Sequence, residues 1–256
     1  LERTDRQSFT DDDYGKVHKA LYRFFSFIEG RRVNVILPVG LDADGNRVWR
    51  KWELWNMVPW QNVCSWTGPD CPADLASAFA GFMRLWKDDR WRACLDLAMH
   101  WHAESNRNAS GLEAGIVFVQ MALERLAWES FVQDRQIGTA RPVKGRTAAD
   151  RIRHLLSKNQ IPLDFPPKLV GMATPRNGHL QDLVGTLTSV RNRVVHPPPA
   201  KSKQVSHEFR CSTWGCGLWM LEMLLLRLFG YEGRYLDRRD MGRQSLVPWA
   251  TPKRTS

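Results

Sequence analysis

The chain has 256 residues, 43% of them apolar and 25% charged, with a formal net charge of +10 and a sequence pI of about 9.7. Those proportions exclude a disordered polar chain and leave room for one or two domains with a sizeable core. The basic balance points to a polyanionic partner such as nucleic acid, although a basic surface without that role has the same composition. Cys64, Cys71, Cys94, Cys211 and Cys216 are odd in number and form no CxxC pair, so the expectation is reduced thiols, no zinc and no cofactor. Glu222 and Arg227 break the apolar run from Leu218 to Phe229, which is too short to span a bilayer. No secretory signal is visible, and the expected location is the cytoplasm without a membrane partner.

In chain order, a polar start with Asp11, Asp12 and Asp13 leads into a short helix over Tyr14 to Phe27. Two β-prone runs follow, Arg32 to Leu37 and Arg47 to Trp55, around the Asp-Gly turn of Asp42 to Asn46. This spacing predicts a hairpin. Trp49, Trp52, Trp55, Trp60 and Trp66 crowd the same region; they read as the core of a small sheet or as a platform for bases. Residues 61–72 read as a linker or an ordered loop.

From Ala73 helical patterns dominate: Asp74 to Trp86, Asp88 to Glu104, Leu112 to Val132, Ala148 to Leu156 and Phe209 to Phe229. His100 and His102 fall on different sides of the second of these, without a carboxylate or cysteine at metal-ligand spacing, and read as packed or exposed rather than as ligands. Arg141, Lys144 and Arg146 lie in a Gly- and Pro-containing stretch. That stretch suits a phosphate-tracking loop or a solvated connection equally well. The expected organisation is an N-terminal region with a Trp-rich hairpin over 1–83, a helical bundle over 84–235 and a basic tail over 236–256.

The most informative stretch runs from Leu180 to Pro199. Leu180, Leu183, Val184, Leu187, Val190 and Val194 recur at helical spacing, and Pro197, Pro198 and Pro199 stop the helix. His196 therefore falls at the last turn or just beyond it. Asn192 lies four residues earlier, where its amide can meet the imidazole, and Arg191 edges the apolar stripe. Arg191 and His196 form the only Arg-x4-His pair in the chain. A fixed cation beside a histidine suits phosphodiester chemistry, the histidine moving a proton and the guanidinium holding the phosphate. A structural helix end uses the same residues, so the spacing leaves both readings open.

The run Arg191-Asn192-Arg193-Val194-Val195-His196 resembles the signature of the HEPN domains, and Leu187 to Pro197 resembles their ApeA-like subgroup. Trp101-His102, followed by the polar stretch Ser105 to Ser110 and a long helix, is similar as well. This resemblance covers roughly residues 84 to 235. It implies a mainly α fold, an antiparallel HEPN-like helical bundle behind the small N-terminal hairpin region. It also implies a metal-independent endoribonuclease with Arg191, Asn192 and His196 at its centre, formed between two copies and used in anti-phage defence or a toxin system. Arg193, Lys201, Lys203, Arg141, Lys144 and Arg146 then become RNA-binding residues, and RNA, a second copy and a neutralising or trigger protein become the expected partners. The alternative is a catalytically inactive HEPN module that binds RNA or a protein.

Overall fold

The structure is a computed structural model; it describes residues 9–52, 57–59, 63–68, 72–107, 111–136, 147–165, 175–176, 179–180, 182–196 and 205–250. These form a mainly helical protein with a small antiparallel hairpin near its N-terminus. The helices are α1 (Asp11–Glu29), α2 (Pro72–Trp86), α3 (Asp89–Ser105), α4 (Gly111–Gln136), α5 (Ala148–Lys158), α6 (Leu183–Val195) and α7 (His207–Leu228).

Local chemistry sets the helix ends. Thr10 and Asp13 form a reciprocal capping box at the start of α1, and Gly30 ends it at φ 66°. Asp88 caps α3 through the amides of Arg90 and Trp91, and Thr147 and Asp150 repeat the capping box on α5. Each arrangement satisfies amides that the first helical turn leaves unpaired.

The hairpin pairs β1 (Val39–Leu41) with β2 (Arg47–Arg50). Its turn matches the expected one, because Asp42 accepts from the amides of Asp44 and Asn46 while Gly45 takes φ 83°. The first strand differs from the expected Arg32 to Leu37. Leu37 turns the backbone to φ 54° and Pro38 has no amide to give a ladder, so pairing begins only at Val39. Trp49 crosses Gly40 and meets Tyr14 of α1 edge-on at 5.6 Å, while Trp52 stays 66% exposed. Trp66, further on, is fully buried and donates to the Phe27 carbonyl. The crowded tryptophans are thus divided between core and surface. Trp55 and Trp60 lie outside the described residues.

One core runs from Ala20 to Val247. Helix α4 packs against α3, α5, α6 and α7, burying Ile116, Val119, Leu123 and Leu126. In α7 every residue from Cys216 to Leu226 is buried, as expected of a helix apolar on all sides. Gly81 lets α2 touch the end of α7: a Cβ there would lie 1.6 Å from the Phe229 carbonyl oxygen. A two-residue ladder joins β3 (Pro175–Arg176) to β4 (His179–Leu180), and around the start of the expected basic tail β5 (Arg234–Asp237) pairs with β6 (Arg243–Leu246), where Tyr231, Tyr235 and Val247 are buried. Only Tyr235 and Asp237 of this last hairpin's eight strand residues are buried, which leaves no alternating apolar pattern for the sequence to show.

Candidate functional site at one end of the bundle

Helix α6 starts at Asp182, whose carboxylate accepts from the Gly185 amide and from Arg153 of α5 at 2.6 Å each. Leu183, Val184, Leu187 and Val190 bury one side. Thr186, expected on the polar side, is buried too, so the stripe is wider than the spacing suggested. The helix ends as the prolines require: His196 leaves helical geometry at φ −125°, ψ 79°, while its amide still donates to the Asn192 carbonyl at 2.8 Å.

This end carries the candidate residues. Asn192, Arg193 and His196 are exposed and Arg191 is half-buried. The Asn192 side chain does not hold the imidazole as expected; its Oδ1 accepts from Arg191 Nη1 at 3.1 Å. Arg191 Nε is buried and has no hydrogen-bond partner among the described residues. The asparagine is therefore engaged with the guanidinium and not with the imidazole. Glu113 sits at the same end of the bundle but is engaged by Arg210 at 2.8 Å, and Glu124 accepts from Gln120 at 2.9 Å. The expected RNA-binding residues Lys201, Lys203, Arg141, Lys144 and Arg146 lie outside the described residues, so only Arg193 of that set is placed.

Contacts fix which helix ends meet. Glu113 pairs with Arg210, a Cβ on Gly115 would meet Trp214, and one on Gly217 would meet Val119, so α4 and α7 run parallel. Asp182 meets Arg153, Leu183 meets Leu163, and Arg227 meets Gln160, which sets the start of α6 beside the end of α7. Helix α6 is therefore antiparallel to both. Its last turn lies with the first turns of α4 and α7.

A second polar cluster is buried. His102 Nε2 lies 2.9 Å from Glu222 Oε1, and Arg238 grips both oxygens of Glu222 at 2.7 to 2.9 Å. Burial pushes the Glu222 carboxyl up, but the Arg238 charge and the bonds from His102 and Arg238 outweigh it and hold the group below its ordinary range. Arg238 also donates to the Cys64 carbonyl. Next to it, Arg239 lies 3.3 Å over the Trp219 ring and pairs with Asp237 at 2.8 Å. Burial pushes Asp237 up as well, and Arg239 reverses the direction. Sequence reasoning treated Glu222 only as a break in an apolar run; a lone carboxylate in such a helix signals a buried partner. Among the described residues no three His, Cys, Asp or Glu side chains gather in a way that could hold a metal, and no helix is long and apolar enough to cross a membrane.

Comparison with known proteins supplies the remaining finding. Residues 88–246 match the family model described as the YopA C-terminal domain, and residues 1–63 match the YopA central domain. The SPbeta prophage-derived uncharacterized protein YopA of Bacillus subtilis (strain 168) is 27% identical over 259 residues, covering 98% of this chain and 57% of the relative. The chain thus spans little more than half of that relative's length. No solved structure matches. These matches correct the HEPN resemblance, including its ApeA-like subgroup: the family models that cover the bundle are those of YopA, with no HEPN match. A six-residue signature on a helix end is too short to carry family membership through a helical bundle.

Proposed function

The chain belongs to the YopA family, and we propose that it is a metal-independent endoribonuclease acting at the exposed end of α6. The observation that carries the proposal is the pairing of a cation held by its neighbour with a histidine released from the helix one turn later. In this reading the 2′-hydroxyl of RNA attacks the adjacent phosphorus and the bond to the 5′-oxygen breaks. A 2′,3′-cyclic phosphate and a 5′-hydroxyl result. His196 transfers a proton, Arg191 stabilises charge on the non-bridging oxygens, and Asn192 orients the guanidinium. Exposed Arg193 contacts a neighbouring phosphate, and the net charge of +10 favours the polyanion.

A role in conflict between phage and host is consistent with the prophage origin of the Bacillus relative. The second reading, RNA binding without cleavage, is favoured by one feature: Arg191 Nη1 is already engaged by Asn192. Incubation of RNA in EDTA with wild type, Arg191→Ala and His196→Ala separates them. Cleavage is expected from wild type alone. Retained RNA binding without cleavage by the wild type would replace the enzyme with a binding module.

A further inference from the structure

The two faces of the β1–β2 hairpin have different neighbours. A Cβ on Gly40 would meet the indole of its register partner Trp49 at 2.1 Å, and Trp49 meets Tyr14 edge-on, so this pair faces α1. Lys51, two residues on, faces the same way: its Nζ lies 5.2 Å from the centre of the Tyr14 ring and 3.1 Å from Asp11. Side chains alternate along a strand. Val48, Arg50 and Trp52 therefore turn to the opposite face, where Val39 is the register partner of Arg50. The Arg50 guanidinium lies 4.7 Å over the Trp52 ring, which puts the two on one side. These outer residues are exposed, and so are Leu41 and Arg47, the pair next to the turn.

Apolar side chains on both faces suit a sheet covered on both sides. Helix α1 covers one side; the other has a ring open to stacking, backed by a cation and bordered by aliphatic groups. Neither Arg47 nor Arg50 meets a carboxylate among the described residues. Most nearby carboxylates are engaged: Asp42 by the amides of Asp44 and Asn46, Asp11 by Lys51, Asp12 by Lys16 and Asp13 by the Thr10 cap. Asp44 is exposed at the tip. A second copy of the chain on this face would set Arg47 and Arg50 against the same arginines. A single-stranded nucleic acid answers both features, with phosphates for the arginines and a base for the indole.

We propose that the outer face of this hairpin binds single-stranded RNA, a base stacking on Trp52 while adjacent phosphates meet Arg47 and Arg50. The choice of RNA rests on the ribonuclease reading above. The surface lies at the other end of the bundle from His196. Phe27 meets His102 at 5.2 Å and Arg23 pairs with Asp96, so α1 runs parallel to α3. Arg90 pairs with Glu129 and the Ser105 hydroxyl donates to the Gly115 carbonyl, so α3 and α4 are antiparallel. The start of α1, with the hairpin on it, thus lies beside the end of α4, whereas His196 lies beside its start. The 26 residues of α4 span about 39 Å, and a strand held at both places runs along the bundle.

The test follows the fluorescence anisotropy of a labelled 2′-O-methyl RNA oligonucleotide, whose blocked 2′-oxygen cannot attack phosphorus, at rising salt. It compares wild type, Trp52→Ala, Trp52→Phe and the double variant Arg47→Gln with Arg50→Gln, with the urea midpoint and the sedimentation of each sample. Trp52→Ala is expected to weaken binding about 5- to 150-fold, and Trp52→Phe to restore most of it. The double variant should flatten the plot of log affinity against log salt by about 1.4, the counterion release of two phosphates on a single strand. No binding by the wild type, wild-type affinity in Trp52→Ala, or a wild-type dimer that these substitutions dissociate overturns the proposal, the last by assigning the face to a second copy. Binding through Trp52 without cleavage of unmodified RNA removes the ribonuclease reading and leaves this surface standing. Cleavage of unmodified RNA with binding indifferent to Trp52 does the reverse.

Discussion

His102 and His196 both stand at the carboxyl end of a helix, yet the fold treats them in opposite ways. His102 is sealed at 0% exposure against Glu222, which Arg238 holds from the other side. His196 is exposed, with its side chain unengaged among the described residues. Residue type and local spacing do not separate the two. Burial does: a charge removed from water has to find a partner inside the protein, and that partner ties distant segments together. Here the tie joins α3, α7, the turn after β5 and the carbonyl of Cys64. The exposed histidine carries no such tie among the described residues.

The contrast is most strongly tested by removing the centre of the buried cluster. Glu222→Ala leaves Arg238 buried without its counter-charge and is expected to cost about 3–5 kcal/mol of stability in urea unfolding. A loss below about 1 kcal/mol would mean that the cluster is not the tie described. The corresponding changes at the other end, Arg191→Ala and His196→Ala, are expected to shift stability by no more than about 0.5 kcal/mol. A larger shift in the same unfolding measurement would give these residues a structural role.

Acid provides a milder form of the same comparison. The Glu222 carboxyl is held below its ordinary value in the folded protein. Its contribution to stability is therefore complete above the unfolded value, about 4.3, and disappears as pH falls through the folded one. Asp96 and Asp237 are displaced in the same direction. Unfolding free energy should thus decline below about pH 4.3, and Glu222→Gln should flatten that decline; parallel curves for the two proteins would remove Glu222 from the account. The smallest effect concerns the thiols. Burial pushes Cys94 and Cys216 up to about 12, so iodoacetamide at pH 8 should label neither until the chain unfolds, while exposed Cys64 reacts. Native-state labelling of Cys216 would contradict the packing of α7.

The helices were legible because long apolar periodicities dominate them: α3, α4, α6 and α7 fall within a few residues of the sequence expectation. The Asp42–Gly45 turn was legible from its residue types. The strand around Val39 was not, since a proline and a left-handed leucine displaced the pairing by several residues. The hairpin after α7 was hidden because only Tyr235 and Asp237 of its strands are buried, and one of the two is charged. At the candidate site, the sequence located Arg191, Asn192 and His196 at a helix end but not the bond from Arg191 to Asn192, which spacing favoured for His196. Nor did it bring Arg210 to Glu113. That pairing depends on α7 running parallel to α4, a property of packing rather than of any local pattern.

The most direct test of the central claim takes one His196→Ala preparation beside wild type and measures RNA cleavage in EDTA and the urea midpoint on the same samples. The account predicts that the variant keeps the wild-type midpoint and loses at least about 100-fold in cleavage, with the wild-type product ending in a 2′,3′-cyclic phosphate. Equal cleavage by the two proteins, or loss of cleavage together with a lowered midpoint, would contradict the claim that the exposed end of α6 serves chemistry rather than the fold.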